Sequence, residues 1–217
     1  MRQSGGFMIK EIIRIKYADT TLPESWIFEG GDSLKEVPII FSIFLVKTDS
    51  KNILVDAGCE TMPGFKMKNF TTPMGVLSKM GVQTEDITDV VITHAHHDHI
   101  ECVGYFKNAT VHIQKDEYEE GKKYLCNNRK IEVFENDKVV DDGVRAVKIG
   151  GHSKGSCIVE CDKDGKKIVL CGDECYSFYN LKNRVPTAQS CCHKNSRAFI
   201  EKYSSEGYEC LLCHKIK

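Results

Sequence analysis

The chain has 217 residues, enough to bury most of its apolar surface in one unit, so a single domain over 9–217 is expected after a flexible N-terminal extension, 1–8. Its net charge is −1, with 30 Lys+Arg against 31 Asp+Glu, which supplies no basic field for nucleic acid or an anionic membrane. The apolar runs are too short to cross a bilayer, the N-terminus has no apolar export core, and 11 irregularly spaced cysteines point to free thiols in a reducing cytoplasm.

Strand-like runs come first, at 12–17, 41–48 and 51–56, and the Asp49-Ser50 turn makes a hairpin of the last two. Thr72-Pro73, then Met74, Leu77 and Met80, then Gly81, gives an N-cap, a proline at N1, an apolar stripe and a terminating glycine. Strands follow at 90–93 and 110–114. Residues 116–125 read as an exposed, charged helix with Tyr118, Tyr124 and Leu125 on one side. Further strands are expected at 131–134, 144–149, 157–161 and 168–171, with Asp162-Lys163-Asp164-Gly165 as a hairpin turn. Asn195 or Ser196 would cap a helix carrying Phe199 and Tyr203, before a last strand at 209–213. Strands, then interleaved helices, then strands fit an α/β protein with two sheets face to face and helices outside.

The strand at 90–93 runs into His94-Ala95-His96-His97-Asp98-His99, which contains the spacing H-x-H-x-D-H. Four donor side chains, His94, His96, Asp98 and His99, thus lie on one loop where they can converge. Neutral imidazoles with a hard carboxylate oxygen suit zinc, iron or manganese. His112 alternates within 110–114 and reads as a half-buried strand histidine; His97 and His193 occupy non-ligand positions. Cys157, Cys161, Cys171 and Cys210 read as small core residues. Cys210-x-x-Cys213-His214 has the haem-attachment spacing, and Cys191-Cys192-His193 with Cys210 and Cys213 is an alternative zinc set; unpaired thiols are the preferred reading.

On this motif the chain resembles the metallo-β-lactamase superfamily, metal-dependent hydrolases with an αββα four-layer sandwich, two mixed sheets with helices on the outer faces. Three further segments resemble the family in order over 35–217. Gly150-Gly151-His152-Ser153-Lys154-Gly155-Ser156 supplies His152, Val169-Leu170-Cys171-Gly172-Asp173 supplies Asp173, and Cys210-Leu211-Leu212-Cys213-His214 supplies His214. The resemblance implies two divalent metal ions, Zn2+ first, with Fe or Mn accommodated. His94, His96 and His152 would hold one, Asp98, His99 and His214 the other, and Asp173 would bridge them. A hydroxide shared by two such ions is nucleophilic at neutral pH. Asp56, closing Ile53-Leu54-Val55, resembles the family's V-D-x-G strand end and would orient a ligand histidine.

Within the superfamily the chain is similar to the N-acyl-homoserine lactonase branch. The matching segments are 37–58, 77–94 and Gly172-Asp173-Glu174-Cys175-Tyr176. The resemblance implies a small-molecule ester or lactone substrate, with Tyr176 at the developing oxyanion and Asp98 passing a proton to the leaving alkoxide. The lactonases continue their motif with two glycines, whereas Ile100 is followed here by Glu101-Cys102, which leaves substrate size and polarity open. Three alternatives stay beside this one. A thioesterase of the glyoxalase II type would normally carry a further C-terminal domain, and a flavo-diiron oxidoreductase would normally show H-x-E-x-D. A metal-binding sensor would suit the many thiols.

Overall fold

The computed structural model describes residues 8–215, so most of the expected N-terminal extension lies outside the described residues. One sheet contains β1 (Ile9–Pro23), β2 (Glu36–Thr48), β3 (Asn52–Val55), β4 (Asp89–Ile92), β5 (Thr110–Gln114) and β6 (Lys130–Phe134), in that spatial order. β1 to β3 pair antiparallel and β3 to β6 pair parallel. The second sheet contains β7 (Asp137–Asp141), β8 (Val144–Lys148), β9 (Cys157–Lys163), β10 (Lys166–Leu170) and β11 (Tyr208–Leu211), likewise in chain order. It is antiparallel except for the β10–β11 pair.

The apolar alternation explains the layers. In β2, Phe44 and Val46 face the second sheet, where they meet Val159, Cys161 and Leu170 in a buried inter-sheet core. Their neighbours Ile43 and Leu45 face the other way and pack with Leu77 of α2 (Pro73–Lys79) and with Ile100, which ends α3 (His97–Ile100). On the far side, Ile158 and Val169 meet Phe199, Ile200 and Tyr203. A sheet covered on both faces needs this near-continuous apolar sequence. The result is a four-layer αββα sandwich.

The strands and the 72–81 helix lie close to where periodicity places them. Thr72 accepts the Gly75 amide at 3.1 Å, and Gly81 takes φ +77°. Asp164 and Gly165 both have positive φ in the β9–β10 turn, as a two-residue hairpin requires. Four features differ from expectation. β1 continues to Pro23 through polar residues because it is paired along β2, with a register shift between Lys16 and Ala18. β7 has only two apolar residues and exists by pairing with β8. The helix of 116–125 is shorter, α4 (Lys115–Gly121) followed by a 3-10 turn, and its Glu117 is buried. The short helices α1 (Glu24–Ile27) and α5 (Phe178–Asn183) precede α6 (His193–Tyr203), whose N-cap position is Cys192 instead of Asn195 or Ser196. Those two side chains turn elsewhere: Asn195 donates to Gly150 O at 3.0 Å and Ser196 meets Ser190 Oγ at 2.7 Å.

Candidate metal centre

The chemistry-bearing loops leave the C-terminal ends of β3, β4, β8, β10 and β11, along one edge of the sandwich. The two sheets are joined there by the Cys157 amide, which donates to Thr93 O at 2.8 Å. Asp56 directly follows β3 with φ 65°, a left-handed conformation that aspartate tolerates. Its buried carboxylate accepts the Thr93 amide at 2.8 Å and Thr93 Oγ1 at 3.0 Å, and its Oδ2 lies 2.7 Å from His99 Nδ1.

The fixed acceptors around the pocket place a proton on Nδ1 of four imidazoles. His99 Nδ1 faces a carboxylate and must donate. Thr93 Oγ1 gives its proton to Asp56, so at 3.1 Å it accepts from His94 Nδ1. His152 Nδ1 donates to Gln189 O at 2.5 Å and His214 Nδ1 to Ile40 O at 3.0 Å. Nε2 of all four rings then points inward, and His96 brings its Nδ1 instead. His96 Nδ1 lies 3.1 Å from His94 Nε2 and 2.9 Å from His152 Nε2, and His99 Nε2 lies 3.4 Å from His214 Nε2.

Asp173 stands between the two sets. Its Oδ1 is 3.1 Å from His99 Nε2 and 3.2 Å from His214 Nε2; its Oδ2 is 3.7 Å from His94 Nε2 and 3.6 Å from His152 Nε2. Asp98 Oδ2 approaches His214 Nε2 at 3.3 Å and His99 Nε2 at 3.5 Å. Zinc–nitrogen bonds of about 2.05 Å at the tetrahedral angle put neighbouring donors about 3.3–3.4 Å apart. The separations here scatter around that value, so the residues fit a metal ion. Two groups could hold one: His94, His96, His152 and Asp173, and His99, Asp173, Cys213 and His214, the donors within each lying within 4.8 Å of one another.

The electrostatics differ between the sets. Burial, reinforced by His99 for one and His152 for the other, pushes His94 well below and His96 below the ordinary imidazole value, leaving neutral lone pairs. Burial opposes charge on His99 and His214 too, but the carboxylates outweigh it. With Asp173 foremost, they hold His99 well above its usual value and His214 up to about 10. Asp173 is held well below the usual carboxylate range, against its burial, by His99 and His214. A divalent cation would take the place of those imidazole protons.

Two buried glutamates clamp the loops. Glu117 Oε2 accepts the Ala95 amide at 2.8 Å, while Oε1 accepts Ser153 Oγ at 2.6 Å and the Gly155 amide at 2.8 Å. One carboxylate therefore ties the His94–His96 loop to the His152 loop. Glu174 Oε1 accepts the Gly151 and His152 amides, each at 3.1 Å, and Ser156 Oγ at 2.5 Å. Its Oε2 has no partner among the described residues, and burial raises its pKa despite the bonds from Ser156 and the loop amides. A Cβ on Gly151 would collide with that oxygen and with Ser196. Sequence reasoning missed both glutamates; Glu174's place beside Asp173 was the one available signal.

Tyr176 is buried, donates to Asp173 Oδ2 at 2.6 Å and stacks on His214 at 5.3 Å between ring centroids. A cleft of about 250 Å3 opens over His96, Asp98, His152, Asp173, Tyr176 and His214, walled by Leu22, Trp26, Ile39, Phe41, Met62 and Phe65. Glu101 turns away from it and accepts the Glu60 and Thr61 amides at 2.7 and 3.0 Å. His112 bonds Asp89 Oδ1 at 2.8 Å and His193 bonds Glu29 Oε1 at 2.7 Å, both outside the two groups. His97 lines the cleft rim and meets Tyr124 OH at 3.0 Å. Cys210 packs in the outer layer and Cys213 between the sheets, so the C-x-x-C pair does not act as one unit.

The sequence pattern of the metallo-beta-lactamase superfamily matches residues 39–187. The chain belongs to the metallo-beta-lactamase superfamily. Among curated members, an N-acyl homoserine lactonase of a Bacillus species is 27% identical over 172 residues, covering 67% of this chain and 68% of the relative. An N-acyl homoserine lactone hydrolase solved with N-hexanoyl-L-homoserine at its catalytic metal centre superposes with TM-score 0.83 at 20% identity, over 96% of this chain and 94% of that one. A dizinc quorum-quenching lactonase superposes with TM-score 0.77 at 18% identity, over 97% and 90%. This superfamily fold is shared across the sandwich. No helix among the described residues is long and apolar enough to cross a membrane.

Replacing Glu117 by glutamine would turn an amide donor toward the Ala95 or Gly155 N–H, because all three of its partners donate. Glu117→Gln should lower the unfolding free energy by about 1–3 kcal/mol in urea titration; an unchanged midpoint and slope would deny the clamp.

Proposed function

We propose that the chain is a di-metal hydrolase that opens a small-molecule lactone or ester. His94, His96 and His152 would hold one divalent ion, and Asp98, His99 and His214 the other, with Asp173 shared; zinc is the ion favoured. The observation that carries this reading is the division of Asp173, whose two oxygens face two separate sets of inward-pointing imidazole nitrogens at 3.1–3.7 Å. When bound, such a pair of ions supplies a water of lowered pKa and polarises a carbonyl.

The chain's own residues supply the rest. The apolar wall of Trp26, Met62 and Phe65 would take the hydrocarbon part of a substrate and exclude water from the reacting end. Tyr176 is kept neutral by burial and by Asp173, both of which push its pKa well above the phenol value. Its hydroxyl is therefore a donor, positioned to swing from Asp173 Oδ2 to a carbonyl oxygen gaining charge. Asp98, on the cleft floor, would carry a proton to the leaving alkoxide oxygen. An alkoxide needs less acid assistance than an amine, which suits a cleft in which the imidazoles are committed to other bonds. Lactonase relatives in the Bacillus group and the lactonase-like fold support this substrate class.

Asp173→Ala should lose bound metal and with it hydrolysis of lactones, measured by metal analysis beside turnover. Full metal content at full rate would remove the shared carboxylate from the account. Tyr176→Phe should keep its metal and lose about 10²-fold in kcat. An unchanged kcat would leave Tyr176 a packing residue, and preference for thioesters over lactones in the wild-type chain would reassign the substrate.

A further inference from the structure

We infer that Cys213 is an additional ligand of the second metal ion, so that this ion is held by a thiolate as well as by Asp98, Asp173, His99 and His214. The inference rests on the di-metal reading above and deepens it. Cys213 immediately precedes His214 and is 2% exposed. Its Sγ lies 3.4 Å from Asp173 Oδ1, the oxygen that faces His99 and His214, and 3.3 Å from Gly172 O. Zinc–sulfur and zinc–oxygen bonds of about 2.3 and 2.1 Å separate neighbouring donors by about 3.1–3.6 Å as the angle at the ion opens from about 90° to the tetrahedral value. Cys213, Asp173, His99 and His214 form a group whose donor atoms all lie within 4.8 Å of one another.

A buried cysteine is usually a small apolar filler, and five other buried thiols have their partners outside the candidate centre. Cys157, Cys171, Cys175 and Cys210 direct their Sγ to backbone carbonyl oxygens, and Cys59 meets the Tyr17 phenol. Among the described residues, only Cys213 pairs its thiol with a side chain of the candidate centre. Binding breaks the S–H bond and forms a sulfur–metal bond; the proton leaves to solvent and no electron is transferred. A thiolate donor would make the second position softer than the first and favour zinc over magnesium or manganese there.

The test is zinc K-edge X-ray absorption on the full chain loaded with zinc, read beside metal content. The wild type should show a sulfur shell at about 2.3 Å. Cys213→Ser should lose that shell while Cys59→Ser keeps it. A two-zinc wild type with only nitrogen and oxygen neighbours would overturn thiol ligation and leave the di-metal reading standing. A sulfur shell that survives in Cys213→Ser would also overturn it. A chain that takes up no zinc would sink both. The wild-type spectrum decides even if Cys213→Ser folds poorly.

Discussion

Proton bookkeeping on five imidazoles, four of them buried, governs this pocket. Four of them spend one nitrogen on a fixed acceptor: Thr93 Oγ1, Asp56, Gln189 O and Ile40 O. What remains is a set of lone pairs aimed at one another across 2.9–3.4 Å, with a carboxylate between them. Lone pairs so placed cannot satisfy each other without extra protons. The carboxylates supply a reason for protons on His99 and His214, whereas burial leaves His94 and His96 neutral. A cation would resolve both halves at once, and this is why the donor chemistry, more than the fold, carries the proposed function.

The sandwich makes that arrangement possible because the two sheets end their relevant strands along the same edge. β3 delivers Asp56 and β4 delivers the H-x-H-x-D-H segment, which runs into α3, while β10 and β11 bring Asp173 and His214 from the other sheet. The His152 loop follows β8 and has no regular partner of its own. It is held by two buried glutamates, whose acceptor oxygens replace the hydrogen bonds that a strand would have made. Glycines at 151 and 155 leave room for those carboxylates: a Cβ at Gly155 would lie 2.8 Å from Glu117 Cγ. A buried carboxylate is costly unless its acceptors are filled, and Glu117 has three donors.

Most of the architecture was legible because apolar periodicity and turn chemistry agree with the tertiary structure, as in the 72–81 helix and the Asp164-Gly165 turn. The misses have a common cause. β7 and the polar half of β1 are created by pairing with a neighbouring strand, which a local pattern cannot register. Asn195 and Ser196 look like caps but are recruited by the loop at Gly150 and by Ser190. In the pocket, the donor positions were readable from motif spacing and from the family resemblance. Glu117 was not: within a run of charged residues nothing marks the one that faces inward. Cys213 was read as an unpaired thiol, since only the three-dimensional arrangement puts its sulfur beside Asp173.

On the proposed reading, two divalent cations share this one pocket across Asp173. A crystal of the zinc-loaded chain, with anomalous diffraction collected at the zinc edge, tests it directly. Two anomalous peaks about 3.5–4 Å apart are expected, one beside His94, His96 and His152 and one beside His99 and His214. A single peak, or peaks elsewhere on the surface with this pocket empty, would contradict it.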